Sequence, residues 1–490
     1  MKLIHTLSIT VFSFALMQTN AQIINFFKDN IYNLKYNPAT EITVQRHFSI
    51  PCVSNLNFQA GTNAFIYNDV VSLDNEGNKV IDPKGFFSKI PNSSYGEVFC
   101  NMNMEVLGFG KKISPRTYFM YSTRLQMENT LFIPKGLFQF ATDGNLAHIN
   151  EELTISPLLS ALSYLDNSIG LQYKFSSRLT IGFRGKLLLG MLNANIREST
   201  FTLMTDDEWN LHLKGSALLN VNFPKKLIST VPTPDGKYFI EDMKNMFHLK
   251  KLKLGTMLGA LTSSWGGGFD VGLDMKLTDN LGVKTSIIDV GWIKWNRNRK
   301  GTINYRVDIN PNHPLYKDGE LVFTGITDIT TIKWGVNTID SFYNQVIKEL
   351  VLDSALLISE VKSGSYVTMT NPKFFLEGYY NLWKIHKFSA LLRMDFIEER
   401  VLTAFTLGYN LNIKKLIDIA FSYSLSKGSY NNIGLGVSLN LGNRLHLYAA
   451  ADNMPTLFNL YNQAANVNVH TGLFFTIPAK KEKKTNTEEK

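Results

Sequence analysis

The chain has 490 residues, is 44% hydrophobic and 19% charged, and carries a formal net charge of +9 at neutral pH. This composition excludes an intrinsically disordered chain, and a mean hydropathy of −0.07 excludes a bundle of membrane-spanning helices. The positive charge is spread along the chain without the dense basic stripe of a nucleic-acid-binding protein, so outer-membrane lipid and lipopolysaccharide are the expected charged partners.

Residues 1–21 have the layout of a secretory signal peptide. Lys2 provides a basic start, residues 7–16 form an apolar core, and Ala21 ends a stretch suited to cleavage before Gln22. The alternative interpretation is a buried N-terminal helix. No later run of about 18 apolar residues occurs, so the sequence predicts no transmembrane helix.

The stretch YNLKYNPATEI, residues 32–42, follows the leader and precedes the first run with strand character. Asn37-Pro38 indicates a turn, because proline fixes its own φ and disfavours helix in the residue before it. We therefore assign residues 22–46, including Asn37, Pro38 and Ala39, to an N-terminal segment that folds back rather than joining a sheet.

Strict alternation of apolar and polar residues dominates the rest of the chain. In one run, Phe405, Leu407, Tyr409, Leu411 and Ile413 fall on one face, with Thr, Gly and Asn between them. The pattern restarts at 417–425, 433–441, 445–449 and 467–477, and similar runs occur upstream, for example at 169–175, 179–183 and 269–277. Counting these runs predicts about 14 antiparallel strands, within a range of about 12–16, over residues 47–478.

The lengths of the runs favour a transmembrane β-barrel over a soluble β-sandwich, which is the alternative fold. Several runs reach nine or more residues, and membrane strands need about 9–11 where soluble strands average five or six. Short turns on one side face long connections on the other, the longest at about 223–264 and 296–371. Residues 154–167 and 340–360 have helical spacing, and the latter predicts a helix in the longest outer loop. Residues 479–490 predict a disordered charged tail.

Three stretches give the chain a resemblance to a known group of proteins. Residues 266–298 end in the pattern Asp-x-Gly-x-Ile-x-Trp at Asp289, Gly291, Ile293 and Trp295, KFFLEGYYNL spans 373–382, and AADNMP spans 450–455. In this order, after KYNPAT, they resemble the FadL-like (long-chain fatty-acid transporter) superfamily of outer-membrane barrels. Within it the chain looks most like the family called domain of unknown function 5723.

The resemblance implies an N-terminal plug that fills the barrel from inside. Carried over to this chain, it would place Asn37, Pro38 and Ala39 in the lumen. It implies no particular ligand, because the family has no established activity. The large insertions depart from the transporter pattern, so a fatty-acid groove is not assumed.

The sequence contains no recognisable catalytic arrangement. Gly-x-Ser-x-Gly, His-Glu-x-x-His and a phosphate-binding loop are all missing, so we predict no catalytic residue, no metal site and no cofactor. Cys52 and Cys100 are too few for a disulfide scaffold, and they form either one pair or two thiols. The polar face of the strands supplies candidate lumen-lining residues, which are either a selectivity lining or a structural salt-bridge network: Arg184, Lys186, Asp270, Asp274 and Lys276.

We therefore expect a non-enzymatic protein of the Gram-negative outer membrane. The leading hypothesis is passive transport or capture of a small hydrophobic molecule. The alternative is a non-catalytic scaffold for a secretion or surface-protein complex, similar to type IX secretion, with a protein partner bound through residues 296–371. An envelope lipase with a Ser/His pair is the third hypothesis.

Overall fold

The computed structural model describes most of the chain between residues 23 and 478. The described residues are 23–28, 30–62, 71–73, 79–81, 95–222, 231–232, 238–239, 264–296, 302–324, 357–361, 365–383, 385–398, 400–426, 429–442, 444–454 and 466–478. The predicted leader and the predicted tail, residues 479–490, lie outside them.

Strands make up most of the described chain, and its helices are short. The helices are α1 (Asn33–Tyr36) and α2 (Lys135–Asp143), with 3-10 turns at Ile23–Phe26 and Leu146–His148. The strands are β1 (Val44–Ser49), β2 (Leu56–Thr62), β3 (Val71–Leu73), β4 (Lys79–Ile81), β5 (Tyr95–Lys112), β6 (Thr117–Pro134), β7 (Leu153–Thr154), β8 (Leu158–Lys174), β9 (Leu179–Ser199), β10 (Thr202–Thr205), β11 (Leu211–Lys214), β12 (Ser216–Asn222), β13 (Val231–Pro232), β14 (Tyr238–Phe239), β15 (Ser264–Lys276), β16 (Leu281–Trp295), β17 (Thr302–Ile309), β18 (Tyr316–Lys317), β19 (Glu320–Phe323), β20 (Leu357–Val361), β21 (Tyr366–Met369), β22 (Lys373–Leu382), β23 (His386–Ile397), β24 (Arg400–Ile413), β25 (Ile417–Ser426), β26 (Ser429–Leu441), β27 (Leu445–Ala451) and β28 (Asn466–Pro478).

The long strands form a closed antiparallel barrel with fourteen positions in its wall. β1 and β2 share the first position, between β28 and β5, and β21 and β22 share the eighth, beside β16. The order is β1/β2, β5, β6, β8, β9, β15, β16, β21/β22, β23, β24, β25, β26, β27 and β28, and β28 closes the ring on β1 and β2. The predicted barrel of about 14 strands is confirmed.

The two faces of the wall have inverted polarity relative to a soluble protein. On β24, Phe405 and Leu407 are 37% and 52% exposed on the outside, whereas Thr406 and Asn410 are fully buried on the inside. The same arrangement holds for Ile169 and Leu171 on β8 and for Phe183 and Leu187 on β9. An apolar outer surface on strands of this length is stable only against lipid, so the barrel is a transmembrane one.

Connections at the two ends of the barrel differ in length. At the end that also carries Val44 and Pro478, four residues join β5 to β6, β8 to β9 and β15 to β16. Lys414 and Lys415 have φ of 50° and 58° in the equally tight turn after β24. The opposite end carries most of the long connections, so we call the two ends the short-turn end and the long-loop end.

The long connections build a small second sheet that the sequence did not predict. β18, β19, β11, β10 and β7 pair in that order, and we call this five-stranded unit the cap sheet. It has a hydrophobic core of its own, which includes Leu153, Leu203, Leu211 and Leu321. β12 pairs with the last part of β9, beyond the residues that pair with β15, and β17 and β20 follow β12 in order.

Two helix predictions are affected by these findings. Residues 154–167 are not helical, because β8 begins at Leu158. Both faces of β8 are apolar near its start, where Leu162 and Tyr164 pack against Trp295, so the alternation that marks a strand is lost there. Of the helix predicted at 340–360, residues 340–356 lie outside the described residues and 357–360 belong to β20.

Candidate functional site in the barrel lumen

Residues 23–43, with residue 29 outside the described residues, pack against the inner face of the wall; we call them the N-terminal segment. Ile23 N–H donates to Asp452 Oδ1 of the wall at 2.8 Å, level with the middle of β26. Lys28 N–H donates to Asp418 Oδ2 at 3.0 Å, near the short-turn end. The chain then returns through α1 and reaches β1 at Val44, at the short-turn end.

The Asn37-Pro38-Ala39 turn lies within this segment and is bonded to the wall. Asn37 Nδ2 donates to the backbone oxygens of Leu273 and Thr285 at 3.1 and 3.2 Å, and its Oδ1 accepts from Ala39 N–H at 2.8 Å. The backbone of Asn37 is extended, with φ −144° and ψ 109°, as a residue before proline requires. Because both ends of its amide are used, Asn37 is buried without an unsatisfied polar atom.

Glycines in the wall make room for the segment. A Cβ built on Gly182 would collide with the carbonyl carbon of Pro38, and one on Gly408 would collide with the ring of Phe26. Gly185, three residues further along β9, would meet nothing within 4 Å. The missing side chain at Gly182 is therefore required by the segment rather than by the strand.

Apolar side chains of the segment and of the wall form one buried cluster. Tyr32 lies with its ring centroid 5.2 Å from that of Phe474, and Tyr36 lies 5.7 Å from Phe375. The segment and the wall each contribute nine residues to the cluster. The segment gives Ile23, Ile24, Phe26, Phe27, Ile31, Tyr32, Leu34, Tyr36 and Ile42, and the wall gives Tyr118, Met120, Ile288, Phe375, Leu391, Ala420, Tyr448, Ala450 and Phe474.

A second part of the lumen is filled by paired charges. Lys186 Nζ lies 3.2 Å from Asp166, 2.8 Å from Asp270 and 2.5 Å from Asp289. The remaining pairs surround it and complete what we call the lumenal charge network. They are Arg124 with Asp166 at 2.9 Å, Arg184 with Asp270 at 2.6 Å, Lys373 with Asp289 at 3.2 Å, and Lys373 with Glu128 at 2.6 Å.

A β-bulge directs Asp289 into this network. The pairing of β15 with β16 shifts register between Phe269 and Val271, and Ile288 and Asp289 both lie on the buried face. Asp289 has φ of 59°, which is uncommon for a residue other than glycine. Its carbonyl accepts from Thr370 Oγ1 at 2.6 Å. Strained residues at bulges often re-aim a side chain at a functional site, and here the bulge supplies a carboxylate to two lysines.

The structure places all five predicted lumen-lining residues on the inner face of the wall. Arg184, Lys186 and Asp270 meet in the charge network. Asp274 is apart from them and accepts from Tyr379 Oη at 3.2 Å. Lys276 lies at the short-turn end, where its Nζ is 2.6 Å from Glu41 of the N-terminal segment.

Several network residues were missed in the sequence. Asp166 falls in the run that was assigned to a helix, so its face could not be inferred. Arg124 lies in a predicted strand, and counting alternate residues would have placed it inside. Asp289 stands out only through the bulge, which the sequence pattern does not reveal. The other network residues that were missed are Glu128 and Lys373. Two buried ion pairs outside the network, Glu377–Lys387 and Arg393–Asp395, were missed as well.

Small cavities lie between the N-terminal segment and the wall. Three cavities beside the N-terminal segment have volumes of about 60, 30 and 20 Å³. Pockets for drug-sized ligands are on the order of 300–1,000 Å³. A cavity of about 260 Å³ opens at the short-turn end, between Lys28, Lys415 and His446.

Outside the wall, the cap sheet holds a histidine between two carboxylates. His212 Nδ1 lies 2.7 Å from Glu320 Oε1, and its Nε2 lies 3.0 Å from Asp206 Oδ2. Partial burial disfavours the imidazolium, but the two hydrogen-bonded carboxylates outweigh it and raise the pKa of His212 above its ordinary value. The hydrogen bond from His212 also holds the pKa of Asp206 below its usual range.

The described residues contain no group of three His, Cys, Asp or Glu side chains placed to hold a metal ion. Cys52 and Cys100 are free thiols. No helix in the described part of the chain is long and apolar enough to cross a membrane.

These features define the class of the protein: a transmembrane β-barrel with a buried charge network on the inner face of its wall, against which the N-terminal segment packs. The sequence matches the family of unknown function DUF5723 over residues 38–452, and the chain belongs to that family. The resemblance to this family that its motifs indicated is thereby confirmed. No match to a curated protein was found.

Solved structures with similar architecture include three barrels. They are a Pseudomonas aeruginosa FadL homologue (9% identity, 95% of this chain and 99% of that chain covered, TM-score 0.40), the Pseudomonas putida toluene transporter TodX (11%, 94% and 95%, 0.39) and the Ralstonia pickettii toluene transporter TbuX (10%, 95% and 97%, 0.33). Identities and TM-scores this low carry no argument about what this chain binds.

Proposed function

We propose that this protein allows passive passage or capture of a small hydrophobic molecule in the outer membrane, and that the N-terminal segment is a removable plug. One observation carries the proposal: the wall residues of the apolar cluster are covered by apolar side chains of the segment. If the segment withdraws, that wall patch needs another apolar partner. A hydrophobic ligand is such a partner, since burial of apolar surface favours binding by about 25 cal/mol per Å².

The contacts of the segment suit a plug that can move. With the segment in place, cavities of 20–60 Å³ are too small for most organic ligands, so passage requires displacement. Glu41 forms ion pairs with Lys174 and Lys276 of the wall, and the other polar contacts described above join a side chain to a backbone group, as in the bond from Gln172 Nε2 to the Pro38 carbonyl at 3.2 Å. Withdrawal of the segment would therefore leave the strand-to-strand hydrogen bonds of the wall intact.

The test is a leucine at Gly182, which would occupy the space taken by Pro38 and push the segment away. The matched control is Gly185→Leu on the same strand, where the added side chain meets no neighbour. Both variants are expressed in a Gram-negative host whose outer membrane excludes the apolar fluorophore N-phenyl-1-naphthylamine, and uptake of the fluorophore is measured. We expect uptake several-fold above wild type for Gly182→Leu only. Heat-modifiable migration on gels identifies variants with a folded barrel.

Two results would count against the proposal. A folded Gly182→Leu variant with the uptake of wild type would remove the plug role. If a small sugar entered cells with Gly182→Leu as readily as the fluorophore does, the plug role would stand, but selectivity for hydrophobic molecules would be excluded. Recovery of the protein in outer-membrane fractions tests its localisation, its export and its contact with lipid and lipopolysaccharide.

The cap sheet favours a second candidate function, a scaffold for a secretion or surface-protein complex. Trp209 is 51% exposed and has φ of 62° at the tip of the β10–β11 connection. Exposed tryptophan is enriched among the residues that dominate protein interfaces. The β19 strand of the cap sheet belongs to the connection 296–371, for which the sequence analysis predicts a partner site. Cross-linking with a photoreactive group at Trp209 should then capture an envelope protein, whereas a group at Lys415 on the short-turn end should not.

A further inference from the structure

The cavity of about 60 Å³ lies between α1 and the wall. Lys35 lines it from the N-terminal segment, and Lys373, Arg393, Glu128 and Asp289 line it from the wall. The rest of the lining is rich in asparagine and glutamine. A polar cavity of this size can hold a few water molecules or one compact ion.

The charges around the cavity do not all have partners. Five cations pair with five carboxylates: Arg124, Arg184, Lys186, Lys373 and Arg393 with Glu128, Asp166, Asp270, Asp289 and Asp395. Lys35 is a sixth cation. Among the described residues, no carboxylate oxygen lies within 4.0 Å of its Nζ, which lies 5.3 Å from the centroid of the Tyr36 ring.

One further carboxylate lies on the other side of Lys35. Glu105 lines the neighbouring cavity of about 30 Å³ together with Lys35 and Arg124. Its carboxylate accepts a hydrogen bond from Ser49 Oγ and is not within ion-pair distance of Lys35. Glu105 therefore leaves the ammonium group without a direct counter-charge.

A second group at the same cavity points to a ligand. Gln126 is 3% exposed, and its Nε2 has no hydrogen-bond acceptor among the described residues. Asn103 Nδ2 donates to Gln126 Oε1, so only one atom of each amide is unpaired, and a water molecule can satisfy the Asn103 Oδ1 acceptor. An ammonium group and an amide N–H without acceptors both favour a negatively charged guest, and a buried charge without a partner is costly.

We propose that a compact monovalent anion, such as chloride or formate, binds in this cavity beside Lys35. The Lys35 ammonium group has no carboxylate at ion-pair distance among the described residues, and the volume of the cavity excludes a large organic anion. Because Lys35 belongs to the N-terminal segment, the site is complete only when the segment is docked. The anion therefore stabilises the docked state by mass action. The inference rests on this geometry and stands whether or not the barrel transports a ligand.

The test measures thermal unfolding of the purified full-length protein as chloride replaces gluconate at constant ionic strength. Wild type should gain several degrees in its melting midpoint, with a dependence on the logarithm of chloride concentration. Lys35→Met should lose this dependence and, in gluconate, should be at least as stable as wild type. Lys35→Arg should keep it, because the charge remains.

Lys28→Met is the matched control, since Lys28 lies on the same segment but lines the cavity at the short-turn end. It should respond to chloride as wild type does. Two results would overturn the proposal: a wild-type midpoint that is the same in chloride and gluconate, as expected for a neutral Lys35 surrounded by water, or an unchanged response in Lys35→Met. Formate in place of chloride tests whether a carboxylate also fits.

Discussion

Asp289→Asn removes one negative charge from the centre of the lumenal charge network and changes almost nothing in shape. With an effective dielectric constant of about 20, a charge pair at the 2.5 Å of Lys186–Asp289 gains about 7 kcal/mol. A pair at the 3.2 Å of Lys373–Asp289 gains about 5 kcal/mol. Desolvation offsets several kcal/mol for each ion, and breaking a buried pair typically costs about 3–5 kcal/mol. We expect a loss near 3 kcal/mol, because both lysines keep other carboxylate partners.

The assay is equilibrium unfolding in denaturant of the barrel reconstituted in lipid vesicles, with the free energy of unfolding compared between variants. Asparagine tolerates positive φ, so the substitution tests the charge and not the bulge. Asp279→Asn in the exposed turn after β15 is the control and should change stability by less than about 0.5 kcal/mol. The double variant Lys186→Met/Asp289→Asn should recover part of the loss, because charge balance returns. A loss below about 1 kcal/mol, or no recovery, would refute the reasoning.

Three further predictions concern other parts of the molecule. Glu41→Gln should weaken the half-exposed ion pairs at the short-turn end by about 0.5–1 kcal/mol and speed proteolysis of the N-terminal segment without unfolding the barrel. Trp295→Phe should cost about 1–3 kcal/mol in unfolding free energy, because the Nε1 donor to Thr368 Oγ1 at 2.9 Å is lost from a fully buried site. The raised pKa of His212 means that its contribution to cap-sheet stability is fully present below its unfolded pKa of about 6.5 and is lost as pH rises through the higher folded pKa. Proteolysis of the cap sheet should therefore accelerate at alkaline pH in wild type and not in His212→Gln.

Each of the three has an internal comparison. Lys415→Gln, at the same end of the barrel, should leave proteolysis of the segment unchanged. Thr368→Val should cost less than Trp295→Phe, because it removes one hydrogen bond and no ring volume. An equal pH profile in wild type and His212→Gln would show that the histidine does not set the stability of the cap.

The wall could be predicted from the sequence because lipid outside and polar filling inside impose a strict two-residue period. Phe405 and Thr406 show this plainly. The prediction failed at Leu162 and Tyr164, where the inner face is apolar as well and the period disappears. Arg184, Lys186 and Asp270 could be placed inside by alternation, but their partners could not, because partners come from other strands at sequence separations that no local pattern encodes. The cap sheet was missed since its strands are only two to four residues long.

The pairing that closes the ring joins the two ends of the chain. Val44 lies opposite Pro478, and Ile23 is bonded to Asp452 across 429 positions. Pairings between residues this far apart in sequence form slowly, because the entropy cost of loop closure comes before the stabilising contacts are made. The seam between β1 and β28 can therefore form only after β28, the last strand of the wall, has been synthesised. Closure of the wall is thus a late step in the assembly of the barrel, although one of the two strands at the seam is the first strand of the wall to be made.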